Sequence, residues 1–258
     1  AQIWDDIGSF GRIAVTLGFG LSAAAIGSML MKQKPEDNIG AVFHVIGGTL
    51  IPGGFMVTLH EFNLNGDWTI AMTFAGIFAL YLSLSAIHKH AILTFFAIAN
   101  GTVTAYLILN AIIGGPFERW FDVKEIYQYL TMAIGASYLF LAHAFRVGRN
   151  KHLIGVLHFF GSAGFLGAAF SQVFDSPLWQ LLYFLIVLGG LFLAVYMKSR
   201  SILVVSTLFL IAHVSYITGE YFADSLGWPI SLVILGFVFI GLGYASITIN
   251  KKYIKETA

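Results

Sequence analysis

The sequence contains no cysteine, which excludes disulfide bonds, thiolate ligation of metals and cysteine nucleophiles. Charged residues are also scarce: they make up 10% of the 258 residues, against roughly 25% in an average soluble protein. The net charge of +1, without a long basic run, excludes a surface that follows a nucleic-acid backbone. A nucleotide-binding glycine loop, a HExxH zinc helix and a recognisable Ser-His-Asp set are also missing. These absences favour a protein that is not an enzyme and has neither a catalytic residue nor a metal site.

Apolar residues, in contrast, are abundant, and they fall into about nine blocks of roughly twenty residues separated by short polar connections. About twenty helical residues cross the hydrocarbon core of a bilayer, where the backbone has to satisfy its own hydrogen bonds. The sequence therefore predicts an all-α fold, a polytopic transmembrane helical bundle in contact with the lipid bilayer. The predicted helices cover residues 8–31, 39–60, 68–87, 91–113, 126–146, 153–174, 178–197, 202–222 and 228–249.

The basic residues indicate an orientation for these nine spans. Of the 14 lysines and arginines, all but Arg12, Arg119 and Lys124 fall on one side of the predicted membrane. The excess of positive charge marks the cytoplasmic side, which predicts an N-terminus outside and a C-terminus in the cytoplasm. Tryptophan is typical of the membrane interface, and every tryptophan falls on the predicted outer side: Trp4, Trp68, Trp120, Trp179 and Trp228.

An internal repeat is predicted from two similar segments, IGAVFHVIGG beginning at Ile39 and IGVLHFFGS beginning at Ile154, which pair His44 with His158. Other matched pairs are Gly47 and Gly161, Gly53 and Gly167, Ile92-Leu93 and Ile202-Leu203, Tyr106 and Tyr216, Gly135 and Gly236, Ala144 and Ala245, and Lys151 and Lys252. The pattern predicts an N-terminal helix and loop (1–38) followed by two four-helix copies, 39–152 and 153–258. Copies with an even number of spans have the same orientation, so the repeat is parallel. The alternative is chance similarity between glycine-rich, aliphatic helices.

Tandem four-helix units with this glycine-rich, histidine-bearing opening resemble a large group of bacterial polytopic inner-membrane proteins of unknown function. The resemblance covers most of the chain and implies location in a bacterial inner membrane, without implying an activity. Association with membrane partner subunits, or with further copies of the chain, is left open.

Histidines inside predicted helices are candidates for function, because polar groups at membrane depth are costly and often functional. His44 and His143 lie at one predicted depth, so one hypothesis makes them the axial ligands of a haem. Their aliphatic, glycine-rich surroundings indicate helices too close for the macrocycle, and no cofactor is predicted. The alternative is that these histidines lie at the headgroup level or hydrogen-bond a neighbouring helix.

A second set of candidates follows predicted helices 4 and 8. Asn100 and Thr104 are predicted to line a solute path, and His213 to be a titratable group near mid-membrane. Glu220 is predicted to be partly buried and to face the bundle, with Tyr216 one turn earlier as its hydrogen-bond partner. The alternatives are an ordinary interfacial acid at Glu220 and small polar residues that serve helix packing.

Together these features predict a transporter- or permeation-type protein for a small or lipidic solute. Two alternatives remain: a structural or scaffold subunit without a solute, and a haem-binding membrane oxidoreductase. A Soret band in the purified protein distinguishes the last of these from the other two.

Overall fold

The computed structural model describes residue 4 and residues 7–33, 38–113, 122–222 and 228–255, and these residues form nine long helices and no strand. The helices are α1 (Ser9–Gln33), α2 (Ile39–Glu61), α3 (Asp67–His88), α4 (Ala91–Ile113), α5 (Val123–Ala144), α6 (Ile154–Ser171), α7 (Pro177–Tyr196), α8 (Arg200–Phe222) and α9 (Trp228–Ile249). The predicted all-α fold is confirmed.

The helix ends follow from local sequence. At the start of α7, the Ser176 hydroxyl accepts a hydrogen bond from the Leu178 amide at 3.2 Å, and Pro177 takes the first helical position, where no amide proton is needed. Lys89, directly after α3, and Lys198, just beyond α7, both adopt the left-handed conformation, with φ of 52° and 51°. This conformation ends a helix and turns the chain into the next one.

Eight of these helices are long and apolar enough to cross a membrane. The chain is thus an integral, multi-pass membrane protein. The exception among the described helices is α5, which is long enough but more polar, since it contains Lys124, Glu125 and Gln128 in its first two turns. The prediction of nine spans is confirmed for eight helices and stays a prediction for α5.

The chain divides into two compact units, Ala1–Val123 and Lys124–Ala258. The first unit contains α1 to α4. An ion pair of 2.8 Å between Arg12 and Glu61 joins the start of α1 to the end of α2. The rings of Tyr81 in α3 and Phe96 in α4 lie 5.4 Å apart at the centre of a single apolar cluster.

The second unit contains α5 to α9. Lys124 and Asp175 form an ion pair at 2.8 Å, which joins the start of α5 to the segment before α7. The apolar interior is divided into two clusters, one around Tyr183 and Val187 and the other around Ala194 and Leu203.

The boundary between the compact units, between Val123 and Lys124, falls at the first residue of α5, whereas the predicted repeat has its boundary between residues 152 and 153. Compactness and sequence repetition are different properties, and the repeat stays a prediction.

Candidate functional site

The candidate site is a groove of about 570 Å³ between α7 and α8 in the second unit, at the ends where α7 begins and α8 finishes. Residues four apart on a helix share a face. Gln180 and Phe184 therefore project from one face of α7, and His213, Ile217 and Tyr221 from one face of α8. We call this space the α7–α8 groove.

His213 is the buried polar group of the groove, with a residue exposure of 3%. Its ring lies edge-on to the ring of Tyr183, with centroids 5.1 Å apart, and it interacts with the backbone of Gln180. Its Nδ1 has no hydrogen-bond partner.

Gln180 connects the two helices at the polar end of the groove. The Tyr221 hydroxyl donates a 2.7 Å hydrogen bond to Gln180 Oε1, and the Gln180 amide donates to the Val173 carbonyl at 3.4 Å. Tyr216 also interacts with the Gln180 side chain. The Thr218 hydroxyl is satisfied within α8, by the Val214 carbonyl at 2.8 Å. Among the described residues, His213 Nδ1 has no hydrogen-bond partner, and His213 is one of the residues that line the groove.

The structure brings together two of the predicted residues of α8, His213 and Tyr216, because both interact with Gln180. The prediction that Glu220 is partly buried is wrong, because Glu220 is exposed. Glu220 lies in the last turn of α8, two residues before the helix ends, and Tyr221 beside it is exposed as well.

Asn100 and Thr104 are buried in the first unit, where they bond to their own helix. The Asn100 amide donates to the Phe96 carbonyl at 2.8 Å, and the Thr104 hydroxyl donates to the Asn100 carbonyl at 2.7 Å. Such bonds satisfy polar side chains in closely packed membrane helices. A role for this pair in a solute path stays a prediction.

His44 is buried between α1 and α2, and its Nε2 lies 3.2 Å from the Ser28 hydroxyl. The ring of His88 is nearby, with centroids 6.3 Å apart. His143 is exposed and belongs to the second unit. The haem hypothesis for His44 and His143 stays a prediction. The described residues include no group of three or more histidine, aspartate or glutamate side chains that could hold a metal ion.

Gln180 is the residue of the candidate site that the sequence analysis missed. It is the only amide side chain in α7, which is otherwise apolar apart from its tyrosines. A lone amide in an otherwise apolar helix needs a hydrogen-bond partner, and that was the available signal.

No protein-family model, no curated protein and no solved structure matches this chain. A proposal for the function of this chain therefore rests on the α7–α8 groove itself.

Proposed function

We propose that the protein is a carrier for a small lipidic solute, and that the solute binds in the α7–α8 groove. The observation that carries this proposal is His213, a buried imidazole that lines the groove and whose Nδ1 has no hydrogen-bond partner. A buried acceptor without a partner is unfavourable. A solute that donates a hydrogen bond to Nδ1 removes this penalty.

The walls of the groove define the rest of the solute. Leu181, Phe184 and Leu185 of α7 present apolar surface, and Leu181 and Leu185 have exposures of 71% and 57%. An acyl chain from the bilayer can enter sideways along this open wall without crossing water. The volume lies in the range of about 300–1,000 Å³ that is typical of ligand sites.

The chemistry of the solute's headgroup is inferred from the charge of the side chains that line the groove. Among the described residues, no aspartate, glutamate, lysine or arginine side chain lines the groove. An ionic headgroup would lose its hydration without gaining a counter-charge. The groove therefore favours an uncharged headgroup with a hydroxyl, as in a monoacylglycerol or a long-chain alcohol.

Binding is tested with a fluorescent monoacylglycerol and the protein in lipid nanodiscs. The variant His213→Phe keeps a ring against Tyr183 and removes both nitrogens. The control is His158→Phe, which removes another buried imidazole with an unpartnered nitrogen, from α6 of the same unit. We expect about tenfold weaker binding for His213→Phe, the effect of one lost buried hydrogen bond, and unchanged binding for His158→Phe. Equal binding by both variants would contradict the proposal.

Transport is tested separately, in proteoliposomes that contain the same monoacylglycerol in one leaflet. We expect the wild-type protein to speed its exchange between leaflets, and His213→Phe to be slow. Binding without exchange would favour a lipid-binding structural subunit over a carrier.

A further inference from the structure

A second space in the same unit lies between α5, α6, α7 and α8, and we call it the central cavity. Its volume is about 380 Å³, and its lining is apolar apart from the hydroxyls of Ser162 and Ser206. None of its lining residues belongs to the α7–α8 groove. Phe140 and Gly189, which border it, are exposed, so the cavity has an opening on the surface of the unit.

The central cavity interrupts the packing of the second unit. Leu166 of one apolar cluster and Ile202 of the other both line it. The Ser206 hydroxyl is fully buried there without a hydrogen-bond partner. A buried hydroxyl needs a hydrogen-bond partner, and the space beside Ser206 has room for a molecule that supplies one.

The first unit shows what fills such a space. Its core is one continuous cluster, in which the rings of Tyr81 and Phe96 contact each other. The Phe96 ring lies directly on Gly48, where a Cβ would be 2.4 Å from the ring. No larger side chain at residue 48 leaves room for the ring.

The predicted repeat aligns these ring positions with the cavity. The spacing that pairs Ile92-Leu93 with Ile202-Leu203 places Phe96 opposite Ser206, and the spacing that pairs His44 with His158 places Gly48 opposite Ser162. The left-handed residues Lys89 and Lys198 follow α3 and α7 in the same way. Tyr81 precedes Lys89 by as many residues as Gly190 precedes Lys198. Tyr81 is therefore aligned with Gly190, a third residue of the cavity lining. The second unit thus has serine and glycine where the first has two aromatic rings.

We propose that the central cavity binds a planar ring compound that carries a hydroxyl group. The ligand takes the place that the Tyr81 and Phe96 rings fill in the first unit, and its hydroxyl bonds to Ser206 Oγ. The ligand is recognised by shape and by one hydrogen bond, because no charged side chain of the part of the chain that the structure describes lines the cavity.

The probe is a benzyl alcohol with a trifluoromethyl-diazirine group, which is one ring with one hydroxyl and crosslinks when illuminated. The full chain in phosphatidylcholine nanodiscs is labelled with and without excess benzyl alcohol, and labelled residues are located by mass spectrometry. We expect labelling that benzyl alcohol suppresses on Ile186 and Leu193 of α7, on Met197 just after it, and on Ser206. Labelling that excess benzyl alcohol leaves unchanged at these positions would overturn the proposal.

The decisive variant is Ser162→Gly together with Ser206→Phe, which gives the second unit the residues that the first unit has at the aligned positions. A phenylalanine at residue 206 fills the cavity, so we expect suppressible labelling to fall about tenfold and the melting temperature to be no lower than that of the wild type. The reciprocal variant, Gly48→Ser together with Phe96→Ser, opens the first unit and is expected to gain suppressible labelling near Tyr81.

Persistent labelling in folded Ser162→Gly/Ser206→Phe would overturn the proposal. If that variant does not fold, Ser206→Leu, which adds less volume, is judged by the same criterion. The groove variant His213→Phe is expected to label like the wild type, so a failure of the α7–α8 groove and a failure of the central cavity are distinguishable.

Discussion

Gly135 in α5 and Gly161 in α6 pack backbone against backbone. A Cβ on Gly135 would lie 2.8 Å from the Gly161 carbonyl oxygen, and a Cβ on Gly161 would lie 2.9 Å from the Gly135 carbonyl oxygen. Glycine pairs of this kind allow two membrane helices to approach closely. The contact joins α5, the helix with the more polar sequence, to an apolar neighbour.

Replacing Gly135 with alanine should force the two helices apart, since the new Cβ also meets the Phe165 backbone at 2.6 Å. We expect the free energy of unfolding to fall by about 1–3 kcal/mol, the usual effect of overpacking, as measured by denaturant unfolding. The control is Gly236→Ala in α9, where a Cβ meets nothing within 4 Å. Similar losses of unfolding free energy in Gly135→Ala and Gly236→Ala would show that the close contact at Gly135 does not limit the size of the side chain there.

His90 should make stability depend on pH. It lies between α3 and α4, its Nδ1 accepts a hydrogen bond from the Ile92 amide at 3.3 Å, and burial lowers the pKa of His90 below its ordinary value. Because the folded state resists protonation, the unfolded chain binds the proton first as the pH falls. The contribution is fully present above the ordinary histidine pKa of about 6.5 and is lost progressively below it.

The test for His90 compares unfolding at about pH 7.5 and about pH 5. We expect the loss of stability on acidification to be smaller in His90→Asn, whose side chain keeps an acceptor for the Ile92 amide. His152→Asn, at an exposed histidine, is the matched control. An identical pH dependence in wild type and His90→Asn would refute this prediction.

The predicted orientation is tested by cysteine labelling, which the absence of native cysteines makes simple. Cysteines at Asn65 and Ser176 should react with an impermeant reagent from outside, and cysteines at Lys89 and Lys151 should not. The positions are in connections, and Lys89 and Lys151 are exposed. If α5 does not cross the membrane, Lys151 will label from outside and Ser176 will not.

The haem hypothesis has a direct test in the absorption spectrum. We expect protein purified from membranes to show no Soret band. A Soret band that is lost in His44→Ala and His143→Ala would instead establish these residues as ligands and the protein as a haem protein.

The helices could be predicted from the sequence because a membrane span needs a long uninterrupted apolar run. The boundaries of α4 agree at both ends with the predicted 91–113, since Lys89 and His90 precede this run. The sequence predicted a span at 126–146, and the polar residues Lys124 and Glu125 lie just before that range, in the first turn of α5; that α5 spans the membrane stays a prediction.

The site could be predicted only in part. His213 was a candidate because an imidazole deep in an apolar helix needs a partner. Gln180 was missed because α7 is apolar on all faces, and such a helix gives no periodic signal of which face packs on α8. Glu220 was placed wrongly because the burial of a last helical turn depends on where neighbouring helices end, which composition does not encode.

The central claim is that the α7–α8 groove holds a neutral amphiphile through His213, and native mass spectrometry tests it most directly. The protein is extracted from its membrane in mild detergent, and the mass of bound molecules is measured for the wild type, His213→Phe and His158→Phe. We expect a hydroxyl-bearing, uncharged lipid on the wild type and on His158→Phe, and its loss from His213→Phe. No bound amphiphile on the wild type, or equal retention by His213→Phe, would contradict the account.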